Sequence, residues 1–405
     1  MSDSTIVRKT YQYRLYRCDK RDRKLHHKIF VASTIWNQFV ALQRRYYRLT
    51  GQYISLNRMN KHVLKLRRTQ RFALWQDLHS QACQDVCRRI DDGYQRFFKG
   101  LAKGRPKFKK ASKYKSFTFP QSGFKLVDYN RNQPKGNGKY TRARGIIRID
   151  DENYKFVQHR PIQGQIKTLT VKRDSMGRLW LFFSVIEVIN TPKEVSTGKS
   201  GGFDFGLKTF LTDDEGRPHS SPQVFAAGLR KTRQLNHQLS RKVSGSKRRQ
   251  RAQQALAKHH ADVANKRRAH HFSLAHALCD EYDVLCFEDL NIEGMKRMWG
   301  RKVSDLGLAQ FMEILEWVAL KRGKRVVKID RWYPSTQKCS HCGYINSSIT
   351  LRDREWVCPE CGMHHHRDHN AAINIKTAGA SVVYRSERKT RVRLRSRVDG
   401  RSPSP

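Results

Sequence analysis

Acidic residues are few in this chain, and their scarcity sets its overall character. The 405 residues include 35 Asp and Glu against 82 Lys and Arg, which gives a formal net charge of +47. A chain this basic repels most other proteins and attracts polyanions, and the release of counterions from neutralised phosphates favours binding to nucleic acid. An anionic membrane is a poorer partner, because the charge is spread along the chain and not gathered on one amphipathic helix.

Long hydrophobic runs are also missing. Residues 1–10 contain no apolar segment typical of a secretory leader, and no run approaches the length of a membrane-spanning helix. We therefore expect an intracellular protein with reduced thiols. Aromatic residues nonetheless make up 10% of the chain. Apolar residues also recur with helical spacing, so the sequence predicts folded domains and not a basic ribosomal or chromatin protein.

Four of the nine cysteines form two Cys-x-x-Cys pairs. Cys339 and Cys342 form the first pair and Cys358 and Cys361 the second, a spacing typical of a zinc ribbon. Four thiolates complete a tetrahedral site with no open position, so the pattern predicts a structural zinc ion. Histidines at 341 and 364–366 lie close in sequence, but a site with four thiolates does not need them.

Three acids stand out because of their positions in the apolar pattern. Asp204 lies in a predicted strand between two phenylalanines, Glu288 ends the apolar run 284–287, and Asp368 opens the last predicted helix. Each also has an ordinary explanation. Asp204 could pair with a lysine, Glu288 could be a strand-end charge, and Asp368 could be a helix N-cap. Together, however, they fall where an RNase H-like sheet brings carboxylates to one place.

A group of carboxylates in a basic protein is suited to phosphodiester cleavage. Two Mg²⁺ ions about 3.5–4 Å apart, bridged by a shared carboxylate, neutralise charge on the attacking and the leaving oxygen. Mg²⁺ prefers oxygen ligands, which Asp and Glu supply and Cys and His do not. The sequence therefore predicts a metal-dependent nuclease.

The secondary-structure pattern changes along the chain. In the first half it predicts long helices over 23–49 and 80–101, followed by strands over 115–190 with a clear hairpin at 166–188. In the second half it predicts strands at 201–205, 209–212, 284–287 and 326–329, and two long helices over 228–278. A further helix is expected from Ser304 to Gly323, and the last helix is expected to end near Gly379. Strands alternating with helices indicate an α/β layer.

Several motifs resemble those of the TnpB family. Residues 333–343, 356–362 and 367–375 are similar to the carboxyl half of these proteins, which are transposon-encoded RNA-guided DNA endonucleases related to compact type V CRISPR effectors. Residues 202–208 and 287–290 resemble the first two motifs of their RuvC domain, and residues 99–110 resemble the end of their amino-terminal helical region and its basic loop. The resemblance covers nearly the whole chain and is most specific over 333–376.

The resemblance implies roles for individual residues. Asp204, Glu288 and Asp368 would be the catalytic acids that bind Mg²⁺, and the four paired cysteines would be the zinc ligands. In the basic loop, the candidate nucleic-acid contacts are Arg105, Lys107, Lys109 and Lys110. One departure is visible, since the family often has Asp two residues before the third acid, where this chain has His366. That residue is not one of the catalytic acids.

The resemblance also implies partners, location and fold. The expected partners are a guide RNA derived from the transposon end and a double-stranded DNA target, in a monomeric ribonucleoprotein in the cytoplasm of a prokaryote, at the nucleoid. The fold class is α+β and multidomain: a β-barrel-like unit with a helical insert, then an RNase H-like (RuvC) domain with an inserted zinc ribbon. The predicted domains are a first strand (1–20), a helical insert (21–110), the rest of the barrel-like unit (111–195), the first part of RuvC (196–335), the zinc ribbon (336–366), the last part of RuvC (367–382) and a basic disordered tail (383–405).

Other functions share parts of this pattern. A compact type V CRISPR effector would differ only in its genomic context. A structure-selective resolvase or a transposase of RNase H-like fold would have the acids but no guide RNA. A nuclease-dead RNA-guided binder should have lost at least one acid, and all three are present.

Overall fold

The structure, a computed structural model, describes residues 4–128, 144–190, 197–220, 224–350 and 352–398. The chain divides into two compact units, one formed by Thr5–Ile189 and one that contains Asn190–Pro405. The two units are described separately below.

A curled seven-stranded sheet forms the base of the amino-terminal unit. Its strands run in the order β2-β6-β7-β1-β5-β4-β3 and pair antiparallel where their register is defined. The strands are β1 (Ser4–Leu15), β2 (Ser116–Phe119), β3 (Phe124–Asp128), β4 (Arg144–Ile149), β5 (Glu152–Val157), β6 (Gln165–Arg173) and β7 (Leu179–Asn190). The hairpin of β6 and β7 is the one predicted from the sequence.

Helices between β1 and β2 form the predicted helical insert. They are α1 (Asp19–Thr50), α2 (Leu56–Arg67) and α3 (Ser80–Phe98), with a 3-10 helix at Gln70–Asp77. Two acids in the first turn of α1 favour its start, and Leu25, Ile29 and Phe39 on one face are fully buried. The sequence analysis did not predict α2, although its two buried residues, Met59 and Val63, are four positions apart as on one helix face.

A mixed five-stranded sheet lies at the centre of the carboxyl-terminal unit, with strand order β10-β9-β8-β11-β12. Strands β8, β11 and β12 are parallel. Strand β9 runs antiparallel to β8, and β10 runs antiparallel to β9. The strands are β8 (Ser200–Asp204), β9 (Leu211–Asp213), β10 (Pro218–His219), β11 (Val284–Glu288) and β12 (Arg325–Ile329). A separate antiparallel pair is formed by β13 (Glu355–Val357) and β14 (His364–His366). It belongs to residues 336–366, which contain the four paired cysteines and are called the cysteine-containing segment.

Five helices join and cover these strands: α4 (Val224–Ser240), α5 (Lys247–Glu281), α6 (Ile292–Leu306), α7 (Leu308–Arg322) and α8 (Arg367–Val398). The two long helices predicted over 228–278 are α4 and α5. The helix predicted from Ser304 to Gly323 is α7, which ends at its C-cap Gly323 as predicted, but its predicted start is wrong. Ser304 lies inside α6, which begins after its N-cap Asn291, and Gly307 in the left-handed conformation separates α6 from α7.

The last helix is also longer than predicted. It was expected to end near Gly379, with a disordered tail over 383–405, but α8 is helical to Val398. Gly379 is not a helix end. A Cβ at this position would lie 2.2 Å from Sγ of Cys286, so the missing side chain lets α8 approach β11. No Gly or Pro follows before Gly400, and Arg and Lys favour helix. Residues 399–405 lie outside the described part of the chain.

No helix among the described residues is long and apolar enough to cross a membrane.

Candidate active site and metal centre

Two of the three predicted acids end neighbouring parallel strands. Strands β8 and β11 pair with Phe203 opposite Phe287, and the residues that follow are Asp204 and Glu288. Parallel strands in register place their carboxyl ends at one edge of the sheet, which is where sites form in open α/β sheets. Asp204 and Glu288 therefore lie at the same edge of the sheet, as expected for acids that form one site.

The two acids also face the same side of the sheet. Phe203 and Phe287 are buried in the core that contains residues of α5 and α7. Side chains alternate along a strand, so Asp204 and Glu288 lie on the opposite face together with Gly202 and Cys286. That face is covered by α8, because a Cβ at Gly202 would lie 2.1 Å from the carbonyl oxygen of Ala372.

Asp368, the third acid, comes to this face from the start of α8. Its side chain is buried, although it is the second residue of the helix. Close contact between α8 and β8 at Gly202 brings Asp368 towards the strand that ends in Asp204. The structure thus gathers three acids that are far apart in the sequence.

Electrostatics confirm that the acids affect one another. Burial, followed by the charges of Asp368 and Glu288, raises the pKa of Asp204 to about 8. Burial and the neighbouring charge of Asp289 raise the pKa of Glu288 to about 7. The Arg367 charge lowers the pKa of Asp204, but burial and the other acids outweigh it. Carboxyl groups whose negative charge is only partly compensated are suited to bind a further cation.

Asp368 differs from the other two because two arginines hold its carboxylate. Arg354 Nη1 donates to Oδ2 at 3.1 Å, and Arg367 Nη2 donates to Oδ1 at 3.0 Å. Arg354 comes from the cysteine-containing segment and Arg367 begins α8. Sequence reasoning did not identify either arginine, since their approach to Asp368 depends on how the segment folds back.

Asp214, also missed from the sequence, ties β8 to α8. Its buried carboxylate accepts a hydrogen bond from the Gly202 backbone N–H at 2.9 Å and another from Lys376 Nζ at 2.5 Å. Its backbone carbonyl accepts one from His369 Nε2 at 3.1 Å. Because His369 is next to Asp368, Asp214 helps to fix the third acid relative to the first.

The four paired cysteines form a compact cluster. Sγ of Cys339 lies 3.7 Å from that of Cys361, and Sγ of Cys342 lies 3.6 Å from that of Cys358. A tetrahedral zinc ion with Zn–S bonds of about 2.3 Å would place its sulfurs about 3.8 Å apart, so the donor set and its size fit zinc. Within the described residues, this is the one group of three or more His, Cys, Asp or Glu whose ligand atoms all lie within 4.8 Å of one another.

Both cysteine pairs use the same turn. The backbone N–H of Gly343 donates to the Cys339 carbonyl, and that of Gly362 donates to the Cys358 carbonyl, each with φ near +70 to +80°. An L side chain rarely adopts this conformation, so glycine follows each pair. His365, which sequence reasoning left out, is buried with Nε2 3.0 Å from Sγ of Cys339. It lies beside the cluster and is not needed as a fifth ligand.

Two asparagines join the cysteine cluster to α8. Asn370 donates to the Lys338 carbonyl at 2.8 Å and accepts from the Ser340 N–H at 2.9 Å. Asn374 donates to the carbonyls of Ser335 at 2.9 Å and Lys338 at 2.6 Å. Both asparagines are buried, so the first cysteine pair and the helix that carries Asp368 are held as one piece.

The four candidate nucleic-acid contacts lie together in the amino-terminal unit. Arg105, Lys107, Lys109 and Lys110 are exposed and belong to the segment between α3 and a short 3-10 helix at Ala111–Lys113. Their contact with nucleic acid stays a prediction.

Comparison with known families gives two matches. Residues 183–298 match the family described as "Probable transposase", and residues 309–375 match the family described as "Cas12f1-like, TNB domain". The first contains Asp204 and Glu288, and the second contains all four cysteines and Asp368.

Comparison with curated proteins gives two relatives that match over most of their length and one that matches over about half of its length. A "Putative RNA-guided DNA endonuclease" from Streptomyces pristinaespiralis is 26% identical over 379 residues, 93% of this chain and 90% of the relative. The "Putative RNA-guided DNA endonuclease InsQ" of Escherichia coli K12 is 24% identical over 86% of this chain and 87% of its own. "TnpB-like protein L79" of Acanthamoeba polyphaga mimivirus is 30% identical over 58% of this chain and 47% of its own.

The chain is similar to proteins of the TnpB family. Solved structures agree on the fold of the chain. A chain from a Cas12f1–sgRNA–target DNA complex superimposes with a TM-score of 0.57 at 14% identity, covering 92% of this chain and 99% of the other. The mini-RNA-guided endonuclease CRISPR-Cas_phi3 gives a TM-score of 0.52 at 9% identity, covering 92% of both chains. The predicted fold class, a multidomain α+β chain with a RuvC-like domain and a zinc ribbon, is confirmed.

Proposed function

We propose that this chain is a transposon-encoded RNA-guided DNA endonuclease that cuts double-stranded DNA beside a short target-adjacent motif. The observation that carries the proposal is the meeting of Asp204, Glu288 and Asp368 on the α8 face of the RuvC-like sheet. Full-length relatives described as RNA-guided DNA endonucleases support the guide and the substrate. The net charge of +47 supports binding to the many phosphates of a guide–target duplex.

Asp204, Glu288 and Asp368 are the proposed Mg²⁺ ligands. All three supply oxygen atoms, which Mg²⁺ prefers. The raised pKa values of the first two support cation uptake, because burial and neighbouring negative charge outweigh the nearby Arg367 charge that acts on Asp204. Bound Mg²⁺ ions would neutralise charge on the attacking water and on the leaving oxygen of the phosphodiester. The three carboxylates need not surround one point, because a two-ion site shares its ligands between the ions.

The remaining residues have supporting roles. Arg354 and Arg367 hold the Asp368 carboxylate in one orientation. Cys339, Cys342, Cys358 and Cys361 are the proposed ligands of a structural zinc ion. The guide RNA, derived from the transposon end, and the DNA target would be bound by a single copy of the chain in the cytoplasm, at the nucleoid of a prokaryotic host.

The test is a set of single substitutions in the complex of full-length chain and RNA. Asp204→Ala, Glu288→Ala and Asp368→Ala should each abolish Mg²⁺-dependent cleavage while guide-dependent DNA binding persists. Glu316→Ala is the matched control, because this acid is exposed on α7 and pairs with Lys328 at 2.7 Å. Cleavage by any of the three alanine variants at the rate of the unmodified chain would remove the assigned site.

The guide is tested separately. Chain expressed with its flanking DNA should co-purify with one defined RNA species, and RNA-free chain should cut matched plasmid poorly until a matching guide is added. Equal cleavage of plain or branched duplex with and without a guide would favour a resolvase.

A further inference from the structure

The basic loop at residues 104–110 is fixed to the helices beneath it by its main chain. Trp36 Nε1 donates to the Lys107 carbonyl at 3.0 Å. The Asn37 side chain donates to the Lys109 carbonyl and accepts from the Lys109 N–H, both at 2.9 Å. Arg44 donates to the Pro106 carbonyl at 3.3 Å. Main-chain groups that a loop usually exposes to water are here used to hold the loop in one conformation.

Two of the four basic residues in this loop place their charged groups against aromatic rings of the same unit. The Arg105 guanidinium lies 4.7 Å from the centre of the Tyr47 ring and 5.6 Å from that of Phe97. The Lys109 ammonium lies 3.7 Å from the centre of the Trp36 ring. Contacts of this kind stabilise the loop. Arg105 and Lys109 therefore act first as anchors.

Lys107 and Lys110 differ from these anchors. Both are exposed, and within the described residues neither ammonium group has a hydrogen-bond or ion-pair partner. Phe108 lies between them in sequence and is 54% exposed. The Arg44 guanidinium lies 4.7 Å from the centre of its ring. An exposed aromatic ring beside unpaired cations combines the two features that bind single-stranded nucleic acid: a ring on which a base stacks and positive charge near the phosphate backbone.

We propose that Phe108, Lys107 and Lys110 form a docking point for an unpaired nucleotide of the guide RNA. The base stacks on the Phe108 ring, and the phosphates beside it lie against the two lysines. A paired duplex does not suit the ring, since neighbouring base pairs cover the faces of its bases. Proteins read RNA mainly through unpaired bases in loops, bulges and ends, stacked on aromatic side chains. The inference rests on the proposed function, in which the chain binds guide RNA before it binds DNA.

Photocrosslinking from the ring position tests this directly. Phe108→p-benzoylphenylalanine, in full-length chain purified with its RNA, should crosslink to RNA before any DNA is added. Phe30→p-benzoylphenylalanine is the matched control, because Phe30 is an exposed phenylalanine of α1 in the same unit, and it should give no RNA crosslink. Crosslinking from position 108 only after target DNA is added, or to neither nucleic acid, overturns the proposal.

Affinity measurements separate stacking from simple apolar contact. Binding of a 12-nucleotide adenine oligoribonucleotide is measured at raised salt, where backbone contacts elsewhere weaken. Phe108→Leu should lose about 5-fold to 150-fold in affinity and Phe108→Tyr should keep it, since stacking needs a ring. Equal affinities of the Leu and Tyr variants, with thermal unfolding unchanged, overturn stacking.

Binding of the oligoribonucleotide also distinguishes failure of this inference from failure of the proposed function. If no RNA co-purifies with the chain, the proposed function fails, and the oligoribonucleotide still tests the docking point. Lys107→Gln with Lys110→Gln should flatten the dependence of affinity on salt, because fewer counterions are released. An unchanged salt dependence would remove the two lysines from the site.

Discussion

A methyl group added at Gly202 should separate Asp204 from Asp368, two of the proposed catalytic acids, without touching either. The Cβ of Gly202→Ala would lie 2.1 Å from the Ala372 carbonyl oxygen and 2.5 Å from the Lys376 nitrogen. Both are backbone atoms of α8, so no side chain can turn aside to make room. Ordinary contact begins near 3.4 Å, and we therefore expect α8 to move away from β8 by about 1 Å. Asp368 would move with the helix while Asp204 stays on the strand.

A displacement of about 1 Å in a catalytic group can reduce a rate by about 100-fold. We expect Gly202→Ala to lose cleavage on this scale and to lower the free energy of unfolding by about 1–3 kcal/mol, the usual effect of overpacking. The assay is the single-turnover cleavage rate of the chain–RNA complex at saturating Mg²⁺, with DNA binding and thermal unfolding measured on the same preparation.

Gly201→Ala is the control. Its methyl points to the other face of the sheet, where the nearest atoms are ring atoms of Phe203 and Tyr282 at 2.8 Å. Rings can turn, so this variant should be destabilised yet keep most of its cleavage rate. A folded Gly202→Ala variant that cuts as fast as the unmodified chain would refute the claim that this contact sets the distance between the acids.

The other predictions concern metal, protons, the asparagine contacts and the basic end of α8. Purified chain should contain about one zinc, and Cys339→Ser should lose the zinc and unfold at lower temperature; a zinc-free chain that folds and cuts would contradict this. Because the raised pKa values of Asp204 (about 8) and Glu288 (about 7) leave both acids protonated at low pH, Mg²⁺ must displace protons, and its half-saturating concentration should fall as pH rises from 6 to 8.5. Without Mg²⁺, the raised pKa values of these two acids mean that the free energy of unfolding falls as the pH rises through about 7 to 8. A Mg²⁺ requirement that does not change with pH would count against the site. Asn374→Ala should leave the Ser335 carbonyl without this donor and the Lys338 carbonyl with Asn370 alone, cost about 1–3 kcal/mol of unfolding free energy and speed zinc release to a chelator; unchanged zinc release would count against a link between cluster and helix. Deletion of residues 385–405, which carry eight basic residues, should flatten the salt dependence of nucleic-acid binding and spare cleavage at low salt; loss of cleavage at every salt concentration would contradict it.

Local signals in the sequence predicted the parts of the site that local chemistry determines. Two Cys-x-x-Cys pairs specify a four-thiolate cluster because the turn that presents each pair is encoded by the residues themselves. Acids at the ends of apolar strands predicted Asp204 and Glu288 for a similar reason, since strand ends in a parallel sheet share an edge. Their catalytic role, and the domain boundaries, stay predictions.

The sequence pattern did not predict contacts between residues that are far apart in the chain. Nothing near Arg354 in the sequence indicates that it binds the Asp368 carboxylate, and nothing near Asp214 indicates that it binds Gly202 and Lys376. Gly379 was misread for the same reason. A glycine near the end of a helical pattern usually ends the helix, but here its missing side chain makes room for Cys286 of another element.

The order of the acids along the chain has a consequence for synthesis in the cell. Asp204 and Glu288 can be brought together once β11 has left the ribosome, but Asp368 arrives only with α8, after the cysteine cluster has been made. Incomplete translation products would therefore carry the basic amino-terminal unit and its affinity for nucleic acid without a complete cutting site. The three acids would come together only after α8 has been translated and has folded against β8.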